Sequence, residues 1–377
     1  MAGTKTGEFR ELISPFLKAK LAEIERVDGV DSAAYRAIAR QYVTSPFEKL
    51  VGAQERLRHY QSMVAIEFDG RPVIGVERLY RRTVLIEPTT VCAAHCRWCL
   101  RGQYPVATMT GDDIAHAARY FGSAALRDDV EEVLVTGGDP LMAPGLLGHT
   151  IDSLMRHAPN VRTIRIGTRV PFQDPQRIDE ELVELLRGRD GVSFELGVNV
   201  NHPVEFWPES VAALERLRDA GVRLYNQHPL LKGVNDDLAT LIELYGLLRR
   251  HHIEAHYLFH AIPLRGMSHH RTSIRHGLDL ITRLSACGEF SGRAKPRFAV
   301  LSDIGKIVLY HGSVVERRAS DNAVLLRSGF SIEDRRRWCP GWQTPDSVVL
   351  ANDGTMLTWY LDGPDEALDA DVVTRAS

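Results

Sequence analysis

The sequence predicts an α/β fold, a partial (β/α)6 TIM-like barrel with an N-terminal helical region and a small C-terminal β-rich lobe. Two patterns carry this expectation. From about residue 82, short β-branched and apolar runs alternate with longer segments of helical periodicity, as parallel strands joined by crossover helices do. The unusual polar segments then fall just after those strands, at the ends where barrels of this kind gather their chemistry.

Residues 8 to 75 show mainly helical spacing, in FRELISPFLKAKLAEIERV and PFEKLVGAQERLRHYQSMV, interrupted at Ser14-Pro15 and Ser45-Pro46. Residues 1–80 are assigned to this helical region. Six strands are expected next: TVLIEP (83–88), EEVLVTG (131–137), VRTIRIG (161–167), VSFELGVNV (192–200), VRLYNQ (222–227) and EAHYLFHAI (254–262). Between them lie MTGDDIAHAARYFG, APGLLGHTIDSLMRHA, DEELVELLRG, WPESVAALERLRDAG and NDDLATLIELYGLLRRH, which read as helices. This partial barrel is assigned to 81–297. Beyond it, FAVL, GKIVLYHGSVV, NAVLLRSG and DSVVLANDGTMLTWYLDG are short β-rich runs with Gly and Asp turns, and 298–377 is assigned to the C-terminal lobe.

A chain of 377 residues can bury a large core, and 46 basic against 49 acidic residues leave a formal charge of -3. With no long single-sign run, the balance gives no support to a nucleic-acid partner or an anionic membrane. The N-terminus carries charges throughout and has no apolar run followed by a cleavage site. No stretch reaches the length of uncharged apolar sequence that a membrane helix needs, so a cytoplasmic protein is expected. The five cysteines, odd in number and with three clustered, fit a reducing compartment better than a disulfide framework. Cys287 and Cys339 stand alone and read as small, partly buried apolar side chains.

The clustered three lie in EPTTVCAAHCRWCLRGQYPV, residues 87–106, as Cys92, Cys96 and Cys99. Three thiolates on one loop can hold three irons of a cubane and leave the fourth iron open to chelate a small molecule and pass it one electron. Zinc competes for thiolates, with His95 as the only nearby fourth ligand, but its place inside so tight a loop makes tetrahedral geometry awkward. Trp98, between the last two cysteines, reads as packing that covers the cluster or an adjoining ligand. After the next strand, the glycines of LVTGGDP (134–140) permit close backbone approach to a ligand.

Taken in order, CAAHCRWCLR, VLVTGGDPL, IRIGTRVPFQDPQRI, VNHP, NQHPLLKGVND, HHRTS and GKIVL, between residues 92 and 309, resemble the lysine 2,3-aminomutase group of radical S-adenosylmethionine enzymes. The resemblance implies an enzyme, an isomerase of the 2,3-aminomutase type. It implies that Cys92, Cys96 and Cys99 ligate a [4Fe-4S] cluster and that Gly137, Gly138 and Asp139 seat the methionine part of S-adenosylmethionine. Arg101 matches the arginine that pairs with the substrate carboxylate, a task suited to its planar fork. Gln227 falls in the segment near pyridoxal 5'-phosphate (PLP), and Lys306 in GKIVL matches the Schiff-base lysine that binds PLP. The partners implied are an amino-acid-like small molecule, a one-electron reductant such as flavodoxin or ferredoxin, and a second copy of the chain in a homo-oligomer.

The chain departs from the family at points that bear on substrate. Lysine-specific members use two aspartates for the distal ammonium; here the matching positions are Ile262 and Leu301. An ammonium facing two apolar side chains loses its charge partners and its hydration, so an amino acid other than free lysine is expected; Asp303 lies close enough in sequence to compensate, which is the less favoured reading. A long glycine run precedes the PLP lysine in relatives, whereas this chain has LSDIGK. The shortened segment keeps open an alternative, a PLP-independent radical deaminase, dehydratase or epimerase. Cys287 and Cys339 cannot supply the four ligands of the structural zinc some relatives carry. His251, His252, His256, His260, His269, His270 and His276 read first as solvated or core side chains, with His260 and His269 the candidates for substrate contact.

Overall fold

The computed structural model describes residues 10–50, 65–78, 80–100, 107–188 and 191–364. Helix α1 (Pro15–Asp28) starts where Ser14 caps the Leu17 N–H and Pro15 supplies a fixed φ. Helix α2 (Ala33–Tyr42) is capped by Ser32 in the same way. The helical reading does not extend to residue 75. Strands β1 (Glu67–Phe68) and β2 (Arg71–Pro72) form a hairpin through Asp69 and Gly70. Both turn residues have positive φ, 49° and 69°, the two-residue turn that Asp-Gly favours. Strand β3 (Val76–Glu77) then pairs antiparallel with β4 (Thr83–Thr89).

The alternation that follows is built as expected. Helix α3 (Gly111–Phe121) leads to β5 (Glu132–Gly137), α4 (Pro144–His157) to β6 (Thr163–Thr168), and α5 (Val170–Gln173) with α6 (Glu180–Leu185) to β7 (Ser193–Val198). Helix α7 (Pro208–Asp219) leads to β8 (Arg223–Leu230), and α8 (Leu238–Arg250) to β9 (Glu254–His260). A further helix, α9 (Ile274–Ala286), carries the chain to β10 (Arg297–Ser302), which lies parallel to β9, and β11 (Gly305–Val308) returns antiparallel. The main sheet therefore does not end at 297: it has nine strands, in the order β11-β10-β9-β8-β7-β6-β5-β4-β3. The smaller C-terminal sheet comprises β12 (Val314–Arg318), β13 (Ala323–Ser331), β14 (Val348–Leu350) and β15 (Thr355–Leu361), with α10 (Ile332–Trp338) between its second and third strands.

Strand periodicity separates the two faces of the curled sheet. Val133, Val135, Ile164, Ile166, Phe194 and Leu196 are buried beneath the helices with Ile114, Leu147 and Ile151. The alternate residues, Leu134, Arg165, Glu195 and Tyr225, face inward. A second apolar cluster joins Leu17, Leu21, Ile24, Ile38 and Tyr42 to Ala94 and Trp207, so the N-terminal helices rest on the strand-end face. Across the sheet's open side, the Lys306 backbone N–H donates to the Tyr80 hydroxyl at 3.0 Å. Arg335 donates to the Ile304 carbonyl at 2.7 Å, and Arg78 to that of Trp338 at 3.2 Å. Among the described residues, no helix is long and apolar enough to cross a membrane.

Gly277 on α9 abuts the Phe298 ring so closely that a Cβ there would lie 2.1 Å from Cζ. Gly277→Ala is expected to destabilise the fold by about 1–3 kcal/mol through overpacking, read as a lower urea midpoint. An unchanged midpoint would mean that the contact relaxes without cost.

Candidate functional site

The loop that follows β4 is docked, backbone on backbone, against the loop that follows β5. The Gly138 N–H donates to the Thr89 carbonyl and the Asp139 N–H to that of Val91, both at 2.7 Å. Gly137 has φ +111°, and a Cβ there would lie 2.5 Å from the Thr89 oxygen; one on Gly138 would lie 2.4 Å from the Val91 oxygen. These glycines therefore have a role visible without any ligand: they let the cysteine-bearing loop seat directly on the neighbouring strand end. Asp139 is turned inward. Its carboxylate accepts from Thr168 Oγ1 at 2.8 and 2.9 Å and from the backbone N–H groups of Leu141, Arg169 and Val170 at 3.1, 2.7 and 3.2 Å. Burial raises its pKa against those hydrogen bonds, and four donors fill the acceptor capacity of the carboxylate. The side chain thus clamps the ends of β5 and β6 together.

Cys92, Cys96 and Cys99 are half-buried thiols, none of them in a disulfide. Burial, and then the neighbouring Cys99, Asp139 and Cys96, push the Cys92 thiol well above its ordinary pKa, so the three sulfurs lie within electrostatic range of one another. Among the described residues, no three His, Cys, Asp or Glu side chains stand together so as to hold a metal ion, and the fit of a cluster rests on the chemistry of the thiols. His95 does not turn toward the thiols to complete a zinc set: its Nδ1 lies 2.7 Å from the Arg10 carbonyl oxygen. Arg97, fully buried, donates from Nε to Glu48 at 2.9 Å and also pairs with it through Nη2. The loop is thereby fastened to the N-terminal region on its far side.

The sequence reading passed over Arg169, directly after β6. Its Nη1 donates to Cys96 Sγ at 3.1 Å, its Nε to the Asn199 carbonyl at 2.9 Å, and its Nη2 to Gln41 at 2.9 Å and Glu205 at 2.8 Å. The rings of Tyr42 and Trp98 each lie 5.2 Å from the guanidinium carbon. Burial opposes its charge, but Cys96, Tyr42 and Glu205 outweigh burial and hold the pKa above its ordinary value. Trp98 also meets His270 edge-on and packs on Leu231, Val234 and Ala261. Residues 41, 169 and 205 belong to three separate segments, and only folding brings them together.

Lys306 lies on the inner face. It is paired across the hairpin with Leu301, and its Nζ lies 5.5 Å from the ring centroids of both Tyr257 and Phe259. Burial, then the Arg165 charge, lowers its pKa to about 8. Arg165 itself donates to Glu132 at 2.7 Å and to the Tyr225 hydroxyl at 2.8 and 3.0 Å. Gln227, opposite Tyr257 on the adjoining strand, has a buried Oε1 with no hydrogen-bond partner.

The remaining candidates fall in different places. Arg101 lies outside the described residues. Ile262 follows β9, and Leu301 lies beside Lys306. Asp303 is occupied, accepting from Ser347 Oγ at 2.7 Å. His260 is not on the inner face: alternation along β9 puts it with Leu258 on the covered side, opposite to Tyr257 and Phe259. There its Nδ1 meets the Tyr360 hydroxyl at 2.9 Å and its Nε2 the Thr272 carbonyl at 2.7 Å, a structural tie that replaces the expected substrate contact. The other histidines scatter: His251 stacks on Phe206, His256 meets Tyr225, His276 reaches the Asp236 carbonyl, and His269 packs on His270 and Phe47.

The donor sets suit the groups the sequence implies. Three thiols on one loop, one of them already accepting from a buried guanidinium, suit an iron-sulfur cluster. The unpartnered buried oxygens of Asn199 and Asn201 after β7 suit a polar ligand at the strand ends. A desolvated amine on one side of Tyr257 and, opposite that residue, an amide oxygen without a partner suit an aldehyde cofactor such as PLP.

Comparison with known proteins matches residues 86–245 to the Radical SAM superfamily. An L-lysine 2,3-aminomutase of Fusobacterium nucleatum is 35% identical over 237 residues, 62% of this chain and 54% of that protein. A protein of Aquifex aeolicus provisionally named L-lysine 2,3-aminomutase is 30% identical over 280 residues, 72% of this chain and 73% of that protein. A glutamate 2,3-aminomutase of Clostridioides difficile is 31% identical over 234 residues, 61% of this chain and 53% of that protein. The chain thus spans about half the length of the Fusobacterium and Clostridioides relatives.

Gly138→Ala is expected to lift the cysteine loop from its seat. In metal-free protein, alkylation of Cys92 should quicken roughly tenfold while Cys287 keeps its rate. Equal Cys92 rates in the variant and the parent would show that the loop does not depend on the glycine contact.

Proposed function

The chain belongs to the radical SAM superfamily, among the relatives of lysine 2,3-aminomutase, and from that premise we propose that it moves an amino group between C2 and C3 of an amino acid other than free lysine. The observation that carries the reading is the pairing of a three-thiol loop at the strand ends with a half-buried amine, Lys306, on the inner face of the same sheet. In this reading Cys92, Cys96 and Cys99 ligate a [4Fe-4S] cluster, the 137–139 turn and the strand ends receive S-adenosylmethionine, and Lys306 with Gln227 receives PLP. The cluster, once reduced by a one-electron donor such as flavodoxin or ferredoxin, supplies an electron that cleaves S-adenosylmethionine into methionine and a radical able to remove an unactivated hydrogen, while PLP supplies a π-system for nitrogen migration.

The chain's own residues orient, select and exclude. Arg101 is assigned the substrate carboxylate. Lys306, with its pKa lowered to about 8, offers an amine of which a useful fraction is neutral near physiological pH. Leu301 adjoins that amine, and with Ile262 it gives the side-chain pocket an apolar wall in which an unpaired ammonium is costly. The glutamate 2,3-aminomutase among the relatives supports a substrate other than lysine. Tyr257 and Phe259 shield the amine from water.

One observation favours a second reading, PLP-independent elimination or epimerisation on the same scaffold. The turn before Lys306 is short and closed, with Ser302 Oγ donating to the Gly305 carbonyl at 2.8 Å and Asp303 held by Ser347, so no open glycine-rich loop is available there for a phosphate.

Anaerobically reconstituted protein is expected to show cluster absorbance and to cleave S-adenosylmethionine under strong reduction, and Cys96→Ala is expected to lose both. Retention of cluster iron by that variant would remove Cys96 as a ligand. Borohydride reduction with PLP should leave a pyridoxyl adduct on Lys306, and adduct yield should rise with pH around about 8, because protonation below that value removes the nucleophilic lone pair. Cluster absorbance without an adduct would favour the second reading. A rise centred near the ordinary lysine value would show that the amine is not buried. With uncharged amino acids, turnover should exceed that with lysine by roughly tenfold or more; a preference for lysine would overturn the substrate assignment.

A further inference from the structure

Arg169 has no part in the roles assigned above, yet it makes the most elaborate buried contact in the strand-end face. It is 7% exposed and its partner Glu205 is fully buried. Nη2 points to Glu205 and Gln41 while Nη1 points to Cys96 Sγ, so the ion pair presents its positive end to the sulfur. Gln173 Nε2 approaches the same sulfur at 3.5 Å. We infer that Arg169, oriented by Glu205 and Gln41 and assisted by Gln173, donates a charge-assisted hydrogen bond to a cluster-ligand sulfur and thereby makes the cluster easier to reduce. The inference rests on the reading of Cys96 as a cluster ligand.

The physics is electrostatic. One-electron reduction adds a negative charge that is shared between the irons and their thiolate ligands. A fixed donor at a ligand sulfur stabilises the reduced form more than the oxidised form and raises the potential. Exclusion of water strengthens the effect. The geometry also requires arginine. Four of the five N–H donors of the guanidinium are used, on Asn199, Cys96, Gln41 and Glu205, and a lysine ammonium has only three. Glu205 cannot swing away to weaken the orientation, because its Oε1 is held by the Asn201 and His202 N–H groups at 2.8 and 3.0 Å and by Gln41 at 3.2 Å. Arg169 is thus a positioning residue acting through Cys96.

The test is a redox titration followed by electron paramagnetic resonance, on full-length reconstituted protein with iron and sulfide measured, in the absence of S-adenosylmethionine and substrate. Arg169→Lys should hold a full cluster whose reduction equilibrium is roughly tenfold less favourable, a shift of ~59 mV downward for a one-electron couple. Gln173→Met, which removes the weaker donor but keeps the shape, should shift in the same direction by less. Glu205→Gln removes the counter-charge and should shift the potential upward, an opposite sign that a purely structural role would not produce. Full clusters in Arg169→Lys and Gln173→Met with the parent's potential would overturn the inference and leave the ligand reading standing. A parent protein that takes up no cluster would overturn both. Should Arg169→Lys fail to fold, the sign of the shift in Gln173→Met decides.

Discussion

A guanidinium removed from water must find its counter-charge and its acceptors inside the protein, and at Arg169 those partners come from three other parts of the chain. Gln41 and Tyr42 belong to α2, Asn199 and Glu205 to the segment after β7, Cys96 to the cysteine loop, and Arg169 itself to the end of β6. Breaking one partner of such a buried pair typically costs about 3–5 kcal/mol, so the four segments are held in one arrangement. The N-terminal helices are consequently part of the site. They carry side chains that complete its electrostatics, and the neighbouring Glu48 anchors the same loop through Arg97.

The nine-stranded sheet supports two different environments. At the strand ends, backbone groups meet across Gly137 and Gly138, and the charges are paired. Deeper on the inner face, aromatic rings surround an amine whose nearest strong cation is Arg165, itself restrained by Glu132 and Tyr225. The first environment suits electron transfer to a bound cosubstrate, the second covalent capture of a carbonyl compound. Both belong to the same nine-stranded sheet, one at the end of β4 and the other on β9 and β11.

Much of this was legible in the sequence because local rules and global fold agree. Six of the seven parallel strands follow from the alternation of short apolar runs with helical segments, and the cysteine loop from its spacing. The end of the main sheet was misjudged at FAVL and GKIV, since a parallel strand followed by a tight hairpin looks the same whether it extends the barrel or opens a new lobe. The hairpin at Asp69-Gly70 was hidden under apparent helical spacing, although the dipeptide signals the turn. His260 could have been placed by counting parity along β9 from Tyr257 and Phe259. Arg169 could not, because its partners Gln41 and Glu205 lie 128 and 36 residues away and no short motif links them.

The Tyr80 hydroxyl that accepts the Lys306 N–H, and the single hydrogen bond from Arg335 to the Ile304 carbonyl, have a meaning for biogenesis. Strand β11 is the outer strand of the main sheet, and a bare strand edge is a template for pairing with other chains. Arg335 comes from a lobe synthesised after that strand, so on the ribosome this margin stays partly uncovered while the lobe's strands, through Leu361, are still being made. At ordinary translation rates that interval is roughly 3–10 s. During it, Tyr80, already present on the opposite margin, is the available guard, and the small C-terminal sheet acts as a late-arriving seal against misassembly.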